Sequence, residues 1–216
     1  MECTPITPEA IRTAALLLRG GALAIIPTDT VYGLVADVRR ADGVRAIYAA
    51  KGKGEASPLQ LLFAPDLAQV RRYGELSANA TALVEGLGPG GWTIVVEAVA
   101  GWDSPALAGG RTVGVRIPAA AVVHELVRLV GAPLAASSAN RHGERSPTTC
   151  AAAVRGVGDA CAIALDGAEA PAGLDSTVID CTAEAPRILR EGAIDRQTVA
   201  RILGLDQIPV LRSVRP

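Results

Sequence analysis

The apolar residues of this chain come in short runs, and the length of those runs is what most narrows its fold. "ALAII" (22–26), "LQLLF" (59–63), "WTIVVEAV" (92–99), "RTVGVRIP" (111–118), "PLAAS" (133–137), "CAIALD" (161–166), "STVIDC" (176–181) and "PRILR" (186–190) all have strand length. Amphipathic stretches of helical length lie between them. Thr7-Pro8-Glu9 reads as a hydroxyl cap, a first-turn proline and an acid at the positive end of the helix dipole. Ile11, Ala14, Ala15 and Leu18 then share one face, and Gly20-Gly21 stops the helix. Residues 41–51 turn Val44, Ile47 and Tyr48 inward, and residues 66–86 read as one or two short helices broken near Gly74. Residues 120–130 and 148–157 read as further helices. The elements interleave without strict alternation. That predicts an α/β fold, a single domain with one mixed, twisted open sheet and helices on its faces.

Composition removes several function classes. The net charge of 216 residues is -1 and aromatics make up 3%. There is no global basic field for nucleic acid and little material for base-stacking platforms. Cys3, Cys150, Cys161 and Cys181 have no C-x-x-C spacing, which argues against a structural zinc site and for core fillers or surface thiols. The N-terminus lacks a basic-then-apolar signal pattern, and no apolar run approaches the roughly 20 residues needed to span a bilayer. A soluble protein of the reducing cytoplasm, with no membrane partner, is the expectation.

Familiar catalytic motifs are missing. The sequence has no P-loop, no G-x-G-x-x-G and no G-x-S-x-G, and "HELVR" lacks the second histidine of a zinc protease. Polar residues gather instead at the edges of the expected strands. Thr28-Asp29-Thr30 follows "ALAII", and Lys51-Gly52-Lys53 precedes Ser57. Thr112 and Arg116 stand four apart and so on one face of a strand. Ser137-Ser138-Ala139-Asn140 runs on to Ser146, and Ser176-Thr177 is followed by Arg190. Each group alone has an ordinary structural explanation as a cap or a solvated surface. Together they suit phosphate oxygens, a carboxylate clamp and several hydroxyls, a set able to join an amino acid to a nucleotide.

The motifs "PTDTVYGL", "AKGKG", "TVGVRIP", "PLAASSAN", "GLDSTVID" and "RILREGAI", in this order, closely resemble the YrdC-like L-threonylcarbamoyladenylate synthases from about residue 8 to about residue 203. The resemblance implies a domain over 8–203 with a C-terminal tail over 204–216, and a sheet wrapped around a deep cavity. It implies formation of threonylcarbamoyl-AMP and pyrophosphate from L-threonine, bicarbonate and ATP, with Mg²⁺ accompanying the nucleotide. A threonylcarbamoyl transferase complex acting on tRNA would take the product, and weak RNA binding is conceivable. Carried over residue by residue, it assigns Thr30, Arg116, Ala136 and Ser176 to threonine. Lys53, Ser57, Thr112, Ser138, Asn140, Ser146 and Arg190 go to ATP, and Lys51 and Lys53 to catalysis by charge stabilisation. Both lysines are expected to face the cavity. The chain departs from the family pattern at Lys53, where Arg is usual, at Ser57, where Asn is frequent, and at Leu62, where His is frequent.

The implied chemistry needs no covalent enzyme intermediate, and His124 and His142 are expected to stand apart from it. Two other readings stay open at this stage: an RNA-binding module, and a carbamoyl-transfer relative acting on another small molecule. "DQIPVLRSVRP" (206–216) reads either as a disordered tail or as an arm lying on the body.

Overall fold

The structure is a computed structural model. It describes residues 1–52, 54, 57–168, 170 and 173–211. Lys53 therefore lies outside the described residues.

Strand β1 (Cys3–Pro5) leads into helix α1 (Pro8–Arg19). The Thr7 hydroxyl accepts from the amide of Ala10 at 3.1 Å, as the cap reading expects. Strands β2 (Leu23–Ile26) and β3 (Gly33–Asp37) form an antiparallel pair whose nine residues are all buried. Helix α2 (Ala41–Ala50), strand β4 (Gln60–Leu62), and helices α3 (Leu67–Val70) and α4 (Ala78–Leu87) follow. Next come β5 (Trp92–Glu97), β6 (Thr112–Arg116), α5 (Ala121–Val130), β7 (Leu134–Ser138) and α6 (Cys150–Val157). Strands β8 (Cys161–Asp166), β9 (Thr177–Asp180) and β10 (Arg187–Arg190) precede helix α7 (Arg196–Ile202), capped by Asp195.

All ten strands join one mixed sheet in the order β1-β8-β2-β3-β7-β4-β6-β5-β9-β10. Pairing is parallel at β1/β8, β8/β2, β4/β6 and β5/β9 and antiparallel elsewhere. Helix α1 packs on α5 and against β2 and β8, α2 against β3, and α6 against β8. The core is built from Ala, Val, Leu and Ile around Tyr32, Phe63 and Trp92. Among the described residues no helix is long and apolar enough to cross a membrane.

Three elements are absent from the sequence reading: β1, β3 and α7. Residues 33–37 form a fully buried central strand, so the polar stretch at 27–32 is a loop between two strands and not the end of a sheet edge. Beyond α7 the chain turns back along the last strand. Ile188 donates its amide to Pro209 at 2.8 Å and accepts from Leu211 at 2.9 Å, and Ile208 is buried.

Candidate active site

Strands β4, β6, β7, β5, β9 and β10 curve around a cavity of about 460 Å³. Its lining includes Thr30, Ser57, Gln60, Thr93, Thr112, Arg116, Ala136, Ser138, Asp175, Ser176 and Arg190. Eight of the residues singled out from the sequence are in that wall: Thr30, Ser57, Thr112, Arg116, Ala136, Ser138, Ser176 and Arg190. Lys51, Asn140 and Ser146 are not, and Leu62 is buried at 1% exposure away from the lining.

The closed end of the cavity is organised by an arginine. Arg116 is 2% exposed, and its Nη2 donates to Asp29 Oδ1 and to Thr30 Oγ1, both at 2.8 Å. Burial pulls the guanidinium pKa down, and the Asp29 carboxylate counteracts this by ion pairing. Thr28 donates to the Val31 carbonyl at 2.7 Å, so its proton is committed. The Thr30 hydroxyl, 3.0 Å from Thr28 Oγ1, accepts from Arg116. Thr30 thus holds the arginine in place. The "TDT" triplet is a local hydrogen-bonded turn, and the amides of Thr30 and Val31 close it onto Thr28. Tyr32 fixes the next connection, donating to the Ala168 carbonyl at 2.6 Å and accepting from the Gly167 amide at 3.1 Å. Burial pushes its phenol up to about 12.

The open end carries the exposed cation. Arg190 donates through Nε and Nη2 to the Ser176 carbonyl, at 3.1 and 2.8 Å, and lies 3.8 Å from Asp175. Ser146 donates to Asp175 Oδ1 at 3.0 Å, which places Ser146 behind that carboxylate. Gly192 makes the approach possible, since a Cβ there would sit 2.3 Å from the Asp175 carbonyl oxygen.

Lys51 is tied to the segment that follows β7. Its ammonium, in a side chain only 8% exposed, donates to the carbonyls of Ser138 at 2.6 Å and Asn140 at 2.9 Å, and to Asn140 Oδ1 at 3.2 Å. Asn140 in turn donates to the carbonyls of Arg141 and Glu144. Lysine and asparagine together hold the chain that follows β7 behind the cavity wall.

Asp29 was noted only as part of the Thr28-Asp29-Thr30 group, and Gln60, Thr93 and Asp175 were missed from the sequence. Gln60 and Thr93 sit on β4 and β5 with β6 between them, yet the Thr93 hydroxyl reaches Gln60 Oε1 at 2.8 Å. Gly114 permits this: a Cβ there would lie 3.0 Å from the Thr93 methyl and 3.3 Å from Gln60. A glycine inside a strand pattern is a signal of such close approach. Outside the cavity, Cys3, Cys150 and Asp166 bring three potential metal-ligand atoms within 4.8 Å of one another. Burial raises the Cys150 thiol pKa, which keeps it protonated in the absence of a cation.

An open α/β sheet here frames a cavity with a buried, ion-paired arginine at one end and hydroxyls with a half-exposed arginine at the other. The chain belongs to the Sua5/YciO/YrdC family: the family model described as telomere recombination matches residues 16–192. A threonylcarbamoyl-AMP synthase of Bacillus subtilis is 33% identical over 196 residues, covering 90% of this chain and 56% of its own length. A Mycobacterium tuberculosis relative, provisionally given the same enzyme name, is 34% identical over 200 residues, covering 92% of this chain and 91% of its own. The crystal structure of Pyrococcus abyssi Sua5 complexed with L-threonine superposes with a TM-score of 0.91 at 31% identity, over 97% of this chain and 62% of that one. The chain thus spans a little over half of the Bacillus enzyme and nearly all of the Mycobacterium protein.

Proposed function

We propose that this chain is a threonylcarbamoyl-AMP synthase, using L-threonine, bicarbonate and ATP. The observation that carries the reading is one cavity holding a buried, oriented arginine at its closed end and a half-exposed arginine among hydroxyls at its mouth. It is supported by similarity to relatives bearing that enzyme name, one of them solved with L-threonine.

The threonine carboxylate meets Arg116, whose fork is pre-set by Asp29 and Thr30, with Ala136 and Ser176 alongside. The amine adds to bicarbonate with loss of water, giving an N-carboxylate. A carboxylate oxygen of that group attacks the α-phosphorus of ATP, and pyrophosphate leaves. No enzyme nucleophile takes part. The protein supplies position and charge: Ser57, Thr112 and Ser138 as hydroxyl donors, and Arg190 for the developing negative charge. Lys51 and Asn140 act by holding the wall, and Ser146 by orienting Asp175. Lys53, outside the described residues, is assigned to the triphosphate. Mg²⁺ fits the donor chemistry here, because Asp175 gives a hard oxygen ligand at the nucleotide end and the phosphates would complete the set. The domain expected over 8–203 also takes in β1 at its start and the return of Ile208–Leu211 along β10 at its end. The product is passed in the cytoplasm to a transferase complex acting on tRNA.

The test is incubation of the protein with ATP, ¹³C-bicarbonate and single amino acids, followed by detection of labelled adenylate and pyrophosphate. Threonine should give both in equal amounts. Pyrophosphate with no amino-acid dependence, or RNA binding without ATP turnover, sinks the proposal.

A further inference from the structure

Midway between the two ends of the cavity lies a polar chain that neither end accounts for. It runs across the sheet from Arg190 through Ser176 and Thr93 to Gln60. Its direction can be worked out. Arg190 Nη2 can only donate, and it stands 3.2 Å from Ser176 Oγ, so that oxygen accepts. Ser176 Oγ lies 2.9 Å from Thr93 Oγ1, and Thr93 Oγ1 lies 2.8 Å from Gln60 Oε1. If Ser176 donates to Thr93 and Thr93 donates to Gln60 Oε1, every proton in the chain has an acceptor. If the amide were reversed, Thr93 would donate to Ser176. The Ser176 proton would then have no acceptor among the described residues. The first arrangement holds Oε1 against the wall and turns the two N–H donors of Gln60 into the cavity. Gln60 is partly exposed and lines it.

Register places this amide. Gln60 pairs with Gly114 and Ala136, one level along the strands from Arg116 and Leu62, and Pro58 and Thr112 lie on the opposite side. Two residues of strand span about 6–7 Å. The N-carboxy carbon of an amino acid lies ~3–4 Å from its carboxylate carbon, from ordinary bond lengths. With the carboxylate held by Arg116, the group formed on nitrogen falls at the level of Gln60.

We propose that the Gln60 carboxamide is the docking donor for bicarbonate and for the N-carboxylate made from it. This rests on the synthase reading. The ligand class is a small planar carboxylate, one oxygen of which can accept an N–H of the Gln60 amide. Because the chain starts at Arg190, the amide is set from the nucleotide end. Gln60 is neutral, so it orients the N-carboxylate without strongly stabilising its charge, which leaves the attacking oxygen nucleophilic.

Gln60→Glu is the sharpest test, since a carboxylate still accepts from Thr93 but offers no donor and repels an anion. Gln60→Leu removes the donor without adding charge. In CO₂-depleted buffer both variants should raise the KM for bicarbonate by about 10- to 100-fold, the loss expected for a hydrogen bond to a charged group. For Gln60→Leu, which adds no charge, calorimetric Kd values for threonine and ATP, measured without bicarbonate, should stay within about 3-fold of native, which also certifies the fold. A turnover-free readout comes from ¹³C line broadening of N-carboxythreonine, formed spontaneously from threonine and ¹³C-bicarbonate, by native protein without ATP. It should be strongly reduced in both variants, by the same loss of affinity of about 10- to 100-fold. An unchanged bicarbonate KM in both variants, or a threonine Kd that worsens as much in Gln60→Leu, overturns the role of Gln60 while leaving the synthase reading intact. Gln60-dependent broadening by a native protein that makes no adenylate would retire the synthase reading and leave the subsite standing.

Discussion

A buried arginine is useful only if something prevents it from swinging. Arg116 is tied by Asp29 and Thr30, and Thr30 is tied by Thr28. The guanidinium therefore loses little further freedom when a carboxylate arrives. Arg116→Ala removes the charged partner and should weaken threonine binding by about 10- to 150-fold, corresponding to roughly 1.5–3 kcal/mol. Arg116→Lys should recover little of this, because a single ammonium cannot meet Asp29, Thr30 and a ligand in the geometry of the fork. ATP affinity should hardly move in either variant. Titrations of both ligands by calorimetry check this, and an equal loss for threonine and ATP would count against the clamp. Leu62 belongs to the same neighbourhood in a different way. It pairs in register with Arg116 but is sealed in the core, so it contributes an apolar floor under the clamp.

At the level of elements, the loop after β7 depends on one lysine from the end of α2. Lys51→Met would leave the carbonyls of Ser138 and Asn140 and the amide oxygen of Asn140 without their shared donor. Leaving buried acceptors unpaired costs about 1–3 kcal/mol each way of counting, so the urea midpoint should fall clearly. If Lys51 instead served the triphosphate directly, the variant would lose ATP affinity at unchanged stability, and paired denaturation and binding curves separate the two. Elements carried by aliphatic periodicity were legible in the sequence: α1, α5, β5 and β8 fall within a few residues of their expected bounds. β3 was hidden because "GLVAD" begins with glycine and ends with aspartate, which read as more turn, whereas tertiary pairing on both edges makes it central. β1 is three residues with a proline, and α7 has a short polar-rich face, so neither has enough local signal. The site divides the same way. Cations and hydroxyls beside turns stood out. Gln60 and Thr93, lone polar residues inside strands, acquire meaning only when the register brings them across Gly114.

For the molecule as a whole, the cavity is assembled from residues 30 to 190 of a 216-residue chain, on strands spread from β7 to β10. Thr30 reaches it from the loop between β2 and β3, so the complete cavity needs both parts of the sheet. A ligand that binds only the assembled cavity must therefore stabilise global folding by RT ln(1 + [L]/Kd), about 2.7 kcal/mol at a hundredfold excess over Kd. In a domain of this size that corresponds to a rise in Tm of roughly 5–11 °C. Under the proposed function, which puts them at opposite ends of the same cavity, threonine and ATP should each produce such a rise. In Arg116→Ala the threonine-induced rise should disappear while the ATP-induced rise persists. In Arg190→Ala the ATP response should shrink and the threonine response remain, since Arg116, Asp29 and Thr30 keep their contacts with one another. Differential scanning calorimetry of the three proteins, each with neither ligand, either ligand and both, makes the comparison. A Tm that ignores both ligands at saturating concentration would mean that they bind outside the cavity or not at all.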